Sequence, residues 1–272
     1  MPDKMLPPLM PIVLLLLPAP ALAQAADETA PPEEEGWSGF VAIGPALAPR
    51  FEGSDEYRLV PFAIGTVRNG GVSVDLRGSQ LRADIVPADR LALGPLVNVR
   101  LGRDSDAGGR VGVLDEIDAA VELGGFVGIR LGGDRTGQGQ LQLDLTAIAD
   151  VSGTHDGVLV TGGVTYLALR TQRFSLALDT QATWGDGAYT RTYFGITPGE
   201  ATRSGLAAYD PGASLRDAGA GVTIGYQFDR RWGLLGRLGW SYLLGDAADS
   251  PIVRDEGSRH QGVAGLALSY RF

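Results

Sequence analysis

The chain holds two histidines and no cysteine. His155 lies beside Ser152, Thr154 and Asp156, and His260 follows Ser258. A hydroxyl, an imidazole and an acid within hydrogen-bond reach could perform acyl transfer. Nothing around them has the framing that such chemistry uses. There is no Gly-x-Ser-x-Gly elbow, no glycine-rich phosphate loop and no His-Glu-x-x-His zinc pair. Without cysteine there is also no thiolate metal site and no disulfide scaffold. The expectation is a protein that is not an enzyme and carries no cofactor and no metal.

The other groups with chemical potential are charges that recur at every second position. Asp75, Arg77, Arg82, Asp84, Arg100, Glu122, Arg130, Asp144, Asp179, Arg237 and Arg271 each alternate with apolar neighbours. Alternation of that kind places charges on one face of a strand and apolar residues on the other. Two roles are open to such a face inside a barrel: ion pairs that brace a narrow lumen, or the lining of a small-solute filter. Mixed signs give no net field for steering, which favours bracing.

The elements that must position these residues are strands. Alternating segments span residues 37–48, 57–68, 72–77, 81–86, 91–101, 118–131, 141–151, 158–170, 174–184, 215–228, 232–243 and 261–272. Most are regular: Leu91, Leu93, Val97, Val99 and Leu101 share a parity, with Asn98 and Arg100 behind them. Segment 57–68 is less clean, with Val60, Phe62 and Ile64 aligned. In segment 158–170 both faces carry apolar residues. Twelve segments, an even number, predict an all-β fold: one antiparallel transmembrane β-barrel.

Strand direction adds two checks. If the first strand starts on the periplasmic side, the turns at 69–71, 87–90, 132–139, 171–173 and 229–231 fall inside and are short. The long connections 103–117, 185–214 and 245–259 then fall outside. That asymmetry belongs to outer-membrane barrels. The same directions sort the lipid-facing aromatics by height. Trp37, Phe174, Phe228, Trp232, Tyr270 and Phe272 come near the inner rim, and Trp184, Trp240 and Tyr242 near the outer one. Tyr270 and Phe272 also make the aromatic ending that a barrel-assembly machinery reads.

Composition agrees with that address. The 272 residues include 40 Gly and only 7% aromatics, and mean hydropathy is near zero, as expected when apolarity is hidden in alternation. A net charge of −9 argues against nucleic acid as a partner. Residues 1–23 read as a secretory signal, with Lys4, an apolar core over 9–17 and the small-x-small site Ala21-Leu22-Ala23. Residues 24–36 read as an acidic, disordered leader, which leaves 37–272 for the barrel.

Several loop phrases carry a resemblance. They are Pro49-Arg50-Phe51-Glu52-Gly53-Ser54-Asp55-Glu56-Tyr57-Arg58, Tyr193-Phe194-Gly195-Ile196-Thr197-Pro198, Gly205-Leu206 with Tyr209, Leu215-Arg216-Asp217, and Leu244-Gly245-Asp246-Ala247-Ala248-Asp249-Ser250-Pro251-Ile252-Val253. With the Tyr270-Arg271-Phe272 ending, they resemble the MipA/OmpV family of Gram-negative outer-membrane proteins. The resemblance implies an outer-membrane barrel in contact with lipid and lipopolysaccharide. It also implies a scaffold role, since the name-giving member is described as an adaptor between a lytic murein transglycosylase and a murein synthase. Other members are discussed as surface-binding, adhesin-like proteins or in solute uptake. No catalytic residue carries over. The acids of 52–55 and 246–251 could take a divalent cation, or lipopolysaccharide through one, but no ligand loop of the proper spacing is present.

Overall fold

The computed structural model describes residues 36–272, so the signal and nearly all of the acidic leader lie outside the described residues. Twelve strands follow one another around a closed antiparallel barrel. They are β1 (Ser38–Pro49), β2 (Tyr57–Asn69), β3 (Val72–Arg77), β4 (Gln80–Asp84), β5 (Leu91–Arg100), β6 (Ala120–Gly132), β7 (Gln140–Asp150), β8 (Val158–Arg170), β9 (Phe174–Gly185), β10 (Ser214–Gln227), β11 (Trp232–Leu243) and β12 (His260–Arg271). Closure is made by β12 returning to β1, with Phe40 opposite Arg271 and Val41 opposite Tyr270. Gly39 and Phe272 exchange backbone hydrogen bonds of 3.1 and 3.0 Å at the end of that seam. Closure leaves no free sheet edge there, as hydrocarbon surroundings require.

Period-two alternation sets the faces. On β5 every even-numbered residue from Ala92 to Arg100 is buried and every odd one from Leu91 to Val99 is exposed. One strand departs from the expected sense. Val60, Phe62 and Ile64 of β2 point inward and join Phe40, Ala42, Leu235 and Ala267 in an apolar cluster inside the barrel. A barrel interior need not be polar throughout, and here packing of that cluster outranks the lipid as the home of β2's apolar row. The outward row of β2 is Leu59 and Pro61, both exposed.

The outer connections are folded rather than open. Connection 186–213 holds α1 (Gly187–Phe194) and α2 (Pro198–Ser204), and connection 244–259 holds α3 (Gly245–Asp249) and α4 (Pro251–Glu256). Asp186 caps α1 by accepting from the Tyr189 N–H. Thr197 and Glu200 form a reciprocal capping box on α2, which ends at Gly205 in the left-handed region. Ala107, Val111, Leu114, Ile196, Leu206 and Ile252, drawn from three connections, form a core of their own. The result is a lid over the outer mouth. Gly53, at φ +97, brings the first outer connection against Val253 of α4, whose side chain a Cβ at Gly53 would meet at 2.7 Å.

Candidate functional site

Most of the charges that alternation placed on the inner face fall into four groups. In the middle of the wall, Arg237 grips Asp179 with two hydrogen bonds of 2.6 and 2.9 Å and also donates to Thr223 at 2.9 Å. Asp75 accepts from Thr66 at 2.6 Å and lies 3.6 Å from Arg82. Arg82 reaches Asp144 at 3.4 Å and stacks over Phe126 at 4.6 Å. Toward the inner rim, Asp84 accepts from the Val86 and Leu93 amides and pairs with Arg130 at 3.4 Å. This group fastens the inner turn after β4.

The fourth group joins lid to wall. Glu122 on β6 accepts from Arg100 (2.7 Å), from Asn98 (2.5 Å) and from His155 (3.0 Å). His155 Nδ1 accepts from the Gly157 amide at 3.0 Å, so Nε2 carries the proton and donates to Glu122. Arg100 continues to Glu52 of the first outer connection at 2.6 Å. Glu52 also accepts from the hydroxyl of Tyr189 on α1, and Arg216 of β10 donates to that hydroxyl at 2.8 Å. Burial would raise the Glu52 carboxyl, but Arg216 and Arg100 hold it below the ordinary carboxylate value. Burial lifts the Tyr189 hydroxyl well above the ordinary tyrosine range, so it stays protonated and donates.

The two hydroxyls next to His155 are not brought to it. Ser152 Oγ donates to Asp150 at 2.6 Å and contacts Thr154 at 3.1 Å. Both imidazole nitrogens are taken by Glu122 and the Gly157 amide. His260 stands on the outside of the wall, its Nδ1 accepting from Trp240 Nε1 at 3.3 Å and its ring 5.0 Å from that of Tyr242. Among the described residues no cluster of His, Cys, Asp and Glu fits a metal ion.

Beneath the lid the interior widens into a cavity of about 270 Å³. Seven arginines line it (Arg50, Arg58, Arg77, Arg82, Arg100, Arg216 and Arg237) against four acids (Glu52, Asp144, Asp179 and Asp217). Both signs therefore line the cavity, with arginines in the majority. Five of the seven arginines are in ion pairs. Arg58 and Arg77 are in none, and no side chain among the described residues hydrogen-bonds their guanidinium groups. Arg77 is 6% exposed, and its Nε and Nη2 are buried without partners. A buried guanidinium that lacks a partner calls for one from outside the chain.

Trp37, Trp184, Phe228, Trp232, Trp240 and Phe272 are exposed on the outer surface of the wall, and Phe174, Tyr242 and Tyr270 are half-buried. Trp232 is in register with Tyr270, and their rings lie 4.8 Å apart. Arg271 is half-buried at the inner end of β12 and, unlike Arg237, meets no acid among the described residues. Sequence reading missed Glu52, Arg58, Tyr189 and Arg216 as members of the interior. Arg58 shares the parity of Val60 and Phe62, so reading that row as inward would have found it.

A family model described as "MltA-interacting protein MipA" matches residues 41–272. The chain belongs to that family. Curated proteins yield no significant match. Solved structures of outer-membrane barrels are similar in outline. An outer-membrane channel from Pseudomonas putida F1 is 12% identical, with a TM-score of 0.45, over 89% of this chain and 99% of that one. The NanC porin is 8% identical, with a TM-score of 0.40, over 86% and 100%. The KdgM porin is 9% identical, with a TM-score of 0.37, over 87% and 99%. This MipA-family member is an outer-membrane β-barrel. The phrases that carried its resemblance converge in space: Glu52 and Arg216 meet at 3.4 Å across 164 residues of sequence, and Ser250 donates to the Phe194 carbonyl at 2.7 Å.

Proposed function

We propose that this barrel is a non-enzymatic, solute-binding channel whose cavity takes a small anionic solute. The observation that carries the reading is Arg77, buried, lining the cavity and without an acid or hydrogen-bond partner for its guanidinium among the described residues. A carboxylate or phosphate would complete its hydrogen bonds, and guanidinium matches either in a planar, two-pronged fashion. Arg58 supplies a second unpaired cation on the same lining. The paired groups brace the wall, so bracing and binding are divided between different arginines.

The test is the reversal potential of the purified barrel in planar bilayers under a potassium chloride gradient. Anion preference is expected, and it should fall in Arg77→Gln and further in the Arg58→Gln double variant. Cation preference, or preference indifferent to both changes, would end this reading.

Family membership supports a second reading. The family's description names an MltA-interacting protein, so this chain is also a candidate scaffold for a murein transglycosylase and, through it, a murein synthase. A periplasmic partner would meet the inner turns and the acidic leader. Most of those turns are short, and the longest runs from 133 to 139. There Asp134 is committed to its own turn, accepting from the Thr136 and Gln138 amides at 2.8 and 3.1 Å. Deleting residues 27–35 and neutralising Asp134 and Arg135 should abolish capture of the transglycosylase from crosslinked envelopes. Heat-modifiable migration should be unchanged. Capture that survives both changes would remove the periplasmic docking mechanism.

A further inference from the structure

The wall of this barrel is not of even height. β3 and β4 form a hairpin of six and five residues, while the strands beside it have thirteen and ten. Pairing of β2 with β3 starts at Ile64 opposite Arg77, and Gly78 adds one bond to the Ala63 carbonyl at 3.0 Å. Above that point residues 57–62 of β2 have no strand beside them on that side. At about 3.3 Å per residue the unpaired edge runs for about 20 Å. On the other flank, pairing of β4 with β5 ends at Gln80 opposite Asn98, with one further bond from the Val99 amide to Ser79. A notch therefore interrupts the outer half of the wall between β2 and β5.

The cavity reaches that notch. Its lining includes Arg58 from one edge, Val99 and Leu101 from the other, and Arg77 and Gln80 from the hairpin end below. Open backbone at membrane depth is tolerated where it lines a cavity that can supply partners. Leu59, on the outward face of the same edge, is 72% exposed, and Val99 opposite is 41% exposed. The rim is thus apolar on the lipid side and cationic on the lumen side.

From this we infer that the notch is a lateral portal, through which an amphiphilic anion enters the cavity from the outer leaflet with its head group on Arg77 and Arg58 and its alkyl chain along Leu59 and Val99. The inference rests on the anion-binding reading and specifies its ligand class. A purely hydrophilic anion would gain nothing from an apolar rim. A neutral lipid would leave the two guanidinium groups unpaired.

The test uses the full mature chain in phosphatidylcholine nanodiscs, with inorganic phosphate and dodecyl phosphate as probes, corrected for partition into empty discs. Because the chain lacks cysteine, Leu59→Cys gives a single attachment point at the rim, and Leu238→Cys gives one on the lipid face of β11. Dodecyl phosphate should bind at least tenfold more tightly than phosphate. Its association should slow at least tenfold when Leu59→Cys carries a bulky maleimide, and remain unchanged when Leu238→Cys carries it. Arg77→Gln should weaken both probes. If the two probes bind equally and the Leu59→Cys adduct changes neither rate, the portal is overturned while the anion site stands. If Arg77→Gln changes neither probe, the anion site and the portal fall together.

Discussion

Glu52 in the first outer connection accepts a 2.6 Å hydrogen bond from Arg100 on β5, and so ties the lid to the wall. Tyr189 on α1 and Arg216 on β10 converge on the same carboxylate. Glu52→Gln removes a charge that two guanidinium groups share, at a cost of about 1–3 kcal/mol. Limited proteolysis of the outer connections on intact cells should accelerate in this variant while the barrel stays assembled.

The pH dependence of that tie follows from the direction of the Glu52 shift. Its carboxyl lies below the ordinary value of 4.5 when folded. A depressed folded value contributes stability that is complete above the unfolded pKa and is lost as pH falls through the folded one. Protease sensitivity of the lid should therefore be flat from neutral pH to about pH 5 and rise at lower pH. Glu52→Gln should lack this acid-triggered rise.

Leu238 and Arg237 are neighbours on β11 with opposite fates. Leu238 is 59% exposed to lipid, and Arg237 is 3% exposed and holds Asp179. Leu238→Arg should cost about 2–4 kcal/mol if near the midplane. Arg237→Gln strands a buried carboxylate, at about 3–5 kcal/mol, and adding Asp179→Asn should recover much of that loss. Urea titrations of the refolded barrel measure both. A double variant no more stable than Arg237→Gln alone would mean that the pair does not brace the wall.

The strand directions make a labelling prediction. Asp106 and Asp229 are both exposed, at opposite ends of the barrel. An impermeant maleimide on intact cells should label Asp106→Cys and leave Asp229→Cys untouched. The reverse pattern would invert the barrel and exchange its two aromatic rims.

What the sequence determined by itself was whatever depends on the pleat of a single strand. The number of strands and the outward face of β5 or β12 follow from period two, which any pairing preserves. The family followed from loop phrases that are distinctive as strings. The tertiary structure decided what depends on neighbours far away in the chain. Val60, Phe62 and Ile64 form a legible row, but whether it meets lipid or Phe40 and Leu235 is set by the register with β1 and by packing inside the closed barrel. Glu52 is, as a string, one acid of a loop phrase, and only the lid brings it to Arg100 and Arg216. Arg77 and Arg237 alternate alike in sequence. Arg237 gains Asp179 and Arg77 gains nothing, because ion pairing depends on which inward side chains the strand register sets side by side along the wall, and a one-dimensional pattern carries no such distance.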